Sequence, residues 1–156
     1  MSRSEEYQKP ALTKRDLVVY VAGRYTGLTE EEKQENIKRA KETAIMLWEE
    51  GYTVICPHLN TANFDIECKI DPDEYIYGCI TILLNLKFCA IYLVSKDEPS
   101  LSRDTRKEIG SGIPYFHNVI ALDNYFRGIL EFYNKNVNLT QIRTINEVRG
   151  IIKTIL

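Results

Sequence analysis

The sequence predicts a doubly wound α/β domain: a parallel sheet of four or five strands with helices flanking it. Two observations carry that prediction. Short, continuous apolar runs rich in β-branched residues recur along the chain, the pattern of strands covered on both faces. Between them lie segments with helical period and their own capping residues, and alternating strands and helices imply right-handed crossovers and parallel pairing. A third observation places the ligand edge. Val19 to Asp65 reads as one β-loop-α-β unit, which sets Gly23 to Gly27 and Pro57 to Phe64 on the sheet edge where open α/β proteins bind small molecules.

The elements follow in order. Residues 1–14 are polar and charged, with a proline at position 10, and read as a flexible arm before a single domain over residues 15–156. Leu17 to Ala22 (LVVYVA) is the first strand. Thr29 and Glu32 have the spacing of a capping box, Ile37, Ala40, Ala44 and Leu47 form one apolar stripe, and Gly51 suits a helix C-terminus. The second strand ends on Pro57 and His58, and Asn60 to Ile70 reads as a long loop. Asp71, Pro72 and Glu74 supply the N-cap, N1 and N3 of a helix running to about Leu86, unusually apolar through Ile80, Ile82, Leu83 and Leu84. Phe88 to Val94 (FCAIYLV) is the third strand. A loop from Ser95 to Ser102 leads to a short helix beginning near Arg103, then GSGIP and a fourth strand from Tyr115 to Leu122. Beyond it are expected a helix near Tyr125 to Tyr133, a polar stretch NKNVNLTQ and a last helix capped by Thr144 and Glu147.

Composition narrows the function classes. The 156 residues, 44% of them hydrophobic, are enough to build a core without metal or disulfide staples. Twenty basic and 22 acidic residues are interspersed, giving a net charge of −2 and no basic field for polymeric nucleic acid or an anionic membrane. No apolar run approaches the roughly 20 residues of a membrane span, and the N-terminus lacks the apolar core of a signal peptide, so a cytoplasmic protein is expected. Cys56, Cys68, Cys79 and Cys89 contain no CxxC pair and read as core thiols of a reducing compartment. With only His58 and His117 beside them, neither a metal nor an organic cofactor is implied.

Candidate ligand groups cluster at the predicted loop edge. Gly23 and Gly27 permit close approach of the backbone to a sugar or phosphate. Arg24 is a candidate phosphate contact, although Glu30, Glu31 and Glu32 crowd the following helix start and repel anions. Ser100, Ser102 and Arg103 combine hydroxyls with helix-start amides as a phosphate seat. Tyr20, Tyr25, Tyr75 and Tyr77 are candidates to stack on a base, and His58, Asn60 and Asn63 to hydrogen-bond a base edge or ribose hydroxyl.

With these loops placed, the chain resembles the nucleoside 2-deoxyribosyltransferase-like superfamily. The matching segments are YVAGRYTG, the ENIKRA helix, the Gly51 to Pro57 strand with PHLNT after it, and SRDTRKEIGSGIP; together they cover about Val18 to Ile120. The resemblance implies a flavodoxin-like fold, a homodimer or larger homo-oligomer, and chemistry at the N-glycosidic bond of a nucleoside or nucleotide. A carboxylate attacks the anomeric carbon, as in a retaining mechanism, and an acidic partner helps the base leave. Glu108, six residues after Ser102 and followed by Ile109, matches the family nucleophile; the spacing to the Gly-x-Pro turn points instead to Asp104, and both stay candidates. At the places of the family's acidic helpers stand Thr81 and Cys89, while Asp65, Asp71 and Asp73 lie within reach by sequence. Three readings therefore stay open: a glycosyl-bond enzyme, a catalytically degenerate nucleotide-binding or sensing module, and a purely structural dimer subunit.

Overall fold

The computed structural model describes residues 11–98 and 102–135. A 3-10 turn at Lys14–Asp16 precedes β1 (Val18–Ala22), α1 (Glu30–Glu49), β2 (Thr53–Ile55), α2 (Pro57–Asn60) and α3 (Phe64–Glu67). Then come α4 (Pro72–Asn85), β3 (Cys89–Leu93), α5 (Arg103–Ile109), β4 (Tyr115–Phe116) and α6 (Val119–Lys135). The four strands form one sheet in the order β2-β1-β3-β4, parallel throughout.

Side chains of β1 and β3 alternate between two cores, as period 2 requires. Val19, Val21, Ala90 and Tyr92 pack with Ala40, Ala44 and Leu47 of α1 and with Leu122, Phe126 and Ile129 of α6. Tyr20, Ala22, Cys89, Ile91 and Leu93 pack on the other face with Leu83 of α4, Ile113 and the partly buried Cys79 and Ile109. Helices thus cover both faces, and the sheet is doubly wound. The chain leaves β1 in opposite directions toward β2 and β3, so the carboxyl ends of β1 and β3 flank the point where the winding reverses.

The helix starts obey the sequence. Thr29 Oγ1 accepts from the Glu32 N–H at 3.2 Å, Asp71 Oδ1 from Asp73 N–H at 2.9 Å, and Ser102 Oγ from Thr105 N–H at 3.2 Å. Gly51, at φ 97°, takes the left-handed turn after α1 that a side chain would strain.

Four expectations are corrected. The fourth strand spans only Tyr115–Phe116, because Asn118 Oδ1 accepts from the N–H groups of Ile120 and Ala121 and starts α6 there. The apolar residues after it belong to a helical stripe, Leu122, Phe126 and Ile129, so the expected helix at Tyr125 to Tyr133 begins six residues earlier. The second strand stops at Ile55, since Pro57 and His58 open α2, and the long loop contains α3. Ahead of β1, Leu12 exchanges hydrogen bonds with Asn134, and Thr13 and Asp16 cap the 3-10 turn, while residues 1–10 of the expected arm lie outside the described residues. The helix expected at Thr144 lies outside the described residues.

The apolar character of α4 is only partly spent on the core. Ile76 and Leu83 are buried, whereas Tyr77, Ile82 and Leu84 are exposed. Ile82 joins Ile45 and Trp48 of α1 along an open groove of about 530 Å³ beside the edge strand β2. Among the described residues no helix is long and apolar enough to cross a membrane.

Candidate active site

At the carboxyl edge of the sheet, the loops after β1 and β2 and the helices α4 and α5 enclose a cavity of about 210 Å³. Gly23, Tyr25 and Thr26 line it from the first loop, Pro57, His58, Thr61 and Asp65 from the second, Pro72, Tyr75, Ile76 and Cys79 from α4, and Asp104 and Glu108 from α5. Seven of the residues singled out in the sequence, Gly23, Tyr25, His58, Asp65, Tyr75, Asp104 and Glu108, therefore meet at one hollow. Their convergence follows from topology, because parallel strands deliver all their following loops to the same edge.

Glu108 is 6% exposed and accepts a 2.6 Å hydrogen bond on Oε1 from the hydroxyl of Tyr20, a β1 residue. Burial pushes its carboxyl up to about 7; the Tyr20 hydrogen bond opposes the rise and the negative charge of Asp104 adds to it. The group is thus poised between acid and nucleophilic carboxylate near neutral pH. Asp104 precedes it by four residues, one helical turn along α5, so both carboxyls face the same cavity. Its Oδ1 lies 3.5 Å from Arg103 Nε, an ion pair without a hydrogen bond.

Asp65 behaves differently. Its Oδ1 accepts from the Tyr25 hydroxyl at 2.9 Å and its Oδ2 from Lys33 Nζ at 3.1 Å. Desolvation favours the proton, but the hydrogen bonds from Lys33 and Tyr25 outweigh it and hold the carboxyl below its ordinary range. Asp65 is an anion at neutral pH.

His58 is buried, and its Nε2 sits 3.2 Å from the carbonyl oxygen of Arg24. A carbonyl only accepts, so Nε2 carries the proton. Burial lowers the imidazole pKa, which keeps the ring neutral and leaves Nδ1 an acceptor without a partner among the described residues. The Tyr25 ring packs on it at 5.8 Å between centroids.

Other candidates are not at the cavity. Arg24 contributes its peptide, not its guanidinium, to the site's framework. Asn60 borders the α1–α4 groove. Ser102 is buried as the cap of α5, and Arg103 turns to Asp73 at 2.6 Å and to Asp104, so neither forms the expected phosphate seat. Ser100 lies outside the described residues. Gly23 lines the cavity, yet its missing side chain serves the fold, since an added Cβ would stand 2.7 Å from Val94 Cγ2. Gly27 similarly accommodates Glu32 and Lys33 of α1.

Thr81 and Cys89 also stand apart from the cavity. Thr81 is exposed and bonds the Tyr77 carbonyl, and Cys89 begins β3 at the amino edge of the sheet. Of the three aspartates within sequence reach, Asp71 caps α4 and Asp73 pairs with Arg103 and Lys107; Asp65 alone lines the cavity. Three residues that the sequence did not assign to the catalytic group or its framework shape the site. Tyr20 holds Glu108, Cys79 faces the same hollow, and the buried Glu98 accepts from the Arg24 N–H at 2.9 Å. Tyr20 was findable, because the alternation along β1 puts it opposite Val19 and Val21. No group of three or more metal-ligating side chains is assembled among the described residues. Neither a protein-family model, a curated protein nor a solved structure matches this chain.

Proposed function

We propose that the chain acts on the N-glycosidic bond of a nucleoside, with Glu108 as the nucleophile. The observation that carries this reading is the buried Glu108 carboxyl, fixed by Tyr20 and opening on a cavity shared with Asp104. A Glu108 oxygen bonds to the anomeric carbon as the bond to the base nitrogen breaks, and the base takes the electron pair and a proton. Water or a second base then attacks the same carbon and releases Glu108. Transfer and hydrolysis differ only in that acceptor.

The lining argues for an unphosphorylated substrate. Three carboxyl groups and no lysine or arginine line the cavity among the described residues, and the neighbouring cations are turned to carboxyl groups, Lys33 to Asp65 and Arg103 to Asp73 and Asp104, so a 5′-phosphate would meet repulsion without a cation at the wall. The 5′-monophosphate of any accepted nucleoside should react at least about tenfold more slowly at low substrate. The homo-oligomer implied by the resemblance belongs to the same proposal, with the groove at Ile45, Trp48 and Ile82 as the apolar surface it would cover.

A second reading, a module that binds without turnover, draws on Asp65. The carboxyl nearest the sequence's second loop is held as an anion and cannot donate a proton. Incubation with a panel of deoxynucleosides, detecting free base, separates the two. Release abolished by Glu108→Ala supports catalysis; release that survives it assigns the chemistry elsewhere, and saturable binding without release favours the module.

A further inference from the structure

We propose that Glu98 is a positioning residue of this site, registering the Arg24–His58 wall of the cavity against the helix that carries Glu108. The inference rests on the glycosidic-bond reading for its kinetic consequences and on geometry alone for its placement. Glu98 lies beyond β3 and is 3% exposed. Its Oε2 accepts the Arg24 N–H at 2.9 Å, and the carbonyl of the same Arg24 accepts from His58 Nε2 at 3.2 Å. One residue, Arg24, therefore links the buried Glu98 side chain to the buried imidazole, through its N–H on one side and its carbonyl on the other.

The backbone of Glu98 reaches the other side of the cavity. Its carbonyl accepts from the Ser102 N–H at 2.9 Å, and Ser102 caps α5, whose second turn presents Glu108. The approach of the two loops depends on Gly23. An added Cβ there would stand 2.7 Å from Val94 Cγ2 and 3.7 Å from Glu98 Oε1. The sheet ladder has ended at this level, with Val94 N–H on the Ala22 carbonyl at 3.0 Å, so the Arg24 amide has no strand to bond. The Glu98 side-chain oxygen supplies that missing acceptor. Glu98 touches neither the cavity surface nor the reacting atoms; it acts through Arg24 and His58.

The test compares Glu98→Gln with Glu98→Leu in the full chain. The glutamine keeps an acceptor for the Arg24 amide and the leucine does not. In nucleoside cleavage, Glu98→Leu should lower kcat/KM at least about tenfold, chiefly through KM because the displaced groups bind rather than react, and Glu98→Gln should stay within about threefold of wild type. A lesion of folding alone would lower kcat with the active fraction and leave KM unchanged. Unchanged KM in Glu98→Leu, or a glutamine variant as impaired as the leucine, overturns the proposal. The ¹⁵N–¹H resonance of Arg24 and the His58 ring resonances give a readout without substrate: Glu98→Leu should move both and Glu98→Gln should nearly preserve them. If wild type cleaves no nucleoside, the glycosidic reading fails by itself, and these resonances still decide the role of Glu98; their staying put in Glu98→Leu refutes it.

Discussion

Replacing Glu108 with glutamine should stabilise this protein, and chiefly at neutral to alkaline pH. The Glu108 carboxyl titrates near 4.5 when solvated and is pushed up to about 7 in the fold. Between those values the native state holds a proton that the unfolded chain has lost, so stability falls as pH rises through the interval. The contribution is fully present below about 4.5 and gone above about 7. A tenfold change in proton affinity corresponds to about 1.4 kcal/mol, which makes the buried anion cost about 3 kcal/mol at pH 8.5. Glutamine removes that charge, matches the protonated glutamate in shape and still accepts from the Tyr20 hydroxyl. Urea denaturation at pH 5 and pH 8.5 provides the assay. The variant should match wild type within about 1 kcal/mol at pH 5 and exceed it by about 3 kcal/mol at pH 8.5, a midpoint shift of about 1.5 M for a slope near 2 kcal/mol per M. A difference independent of pH, or larger at pH 5, would refute the argument that Glu108 is ionised at the expense of the fold.

Three further outcomes follow from named contacts. Tyr20→Phe deletes the hydrogen bond that favours ionised Glu108, so the carboxyl should titrate roughly 1 to 2 pH units above its wild-type value, as hydrogen bonds to charged groups are worth roughly 1.5 to 3 kcal/mol; ¹³C titration of the carboxyl reads the change, and a fall instead would contradict the assigned geometry. Gly23→Ala should destabilise the chain by about 1 to 3 kcal/mol in thermal or urea unfolding, because its Cβ would press Val94 at 2.7 Å; an unaffected midpoint would mean the loops separate freely. Lys33→Met keeps the buried stem but cuts the bond to Asp65, and amide exchange at residues 61–71 should accelerate severalfold while β1 and β3 stay protected. That segment buries no side chain, so equal exchange in both proteins would show that Lys33 does not hold it and that the Tyr25 hydroxyl bonds suffice.

The sheet was legible where burial dictated composition. Central parallel strands admit little besides apolar residues, which made β1 and β3 plain, whereas β4 has only two residues and left no such run. The apolar residues after Phe116 read as a strand, although Asn118 caps a helix and Leu122, Phe126 and Ile129 keep helical spacing. Among site residues, Gly23, Tyr25, His58, Asp104 and Glu108 were readable because strand ends fix which loops share an edge. Side-chain direction was not. Arg103 chose Asp73 and Asp104 over the cavity, and Glu98 turned inward to an amide, choices made by tertiary partners that no local spacing encodes. Thr81 and Cys89, which stand at the places of the family's acidic helpers, lie away from the cavity, one on an exposed face of α4 and the other at the amino end of β3.

The different states of the cavity's carboxyls bear on how a base could leave. Asp65, ionised by Lys33 and Tyr25, cannot supply a proton, but under the proposed chemistry a fixed anion beside a bound sugar would favour the positive charge that grows at the anomeric centre as the bond breaks. Glu108 cannot be both the attacking anion and the donor in one step. Asp104 remains, one turn before it on α5, with an oxygen that makes no hydrogen bond among the described residues. The charge of Asp104 raises the proton affinity of Glu108, so the two do not ionise independently, and a neighbouring pair suits opposite roles, one ionised and one protonated. If that division holds, Asp104→Asn should slow release of natural bases much more than release of an activated base such as a nitrophenolate, which leaves without a proton, while Glu108→Gln should abolish both. Equal slowing of the two substrates by Asp104→Asn would show that Asp104 acts through the electrostatics of Glu108 and not as the acid.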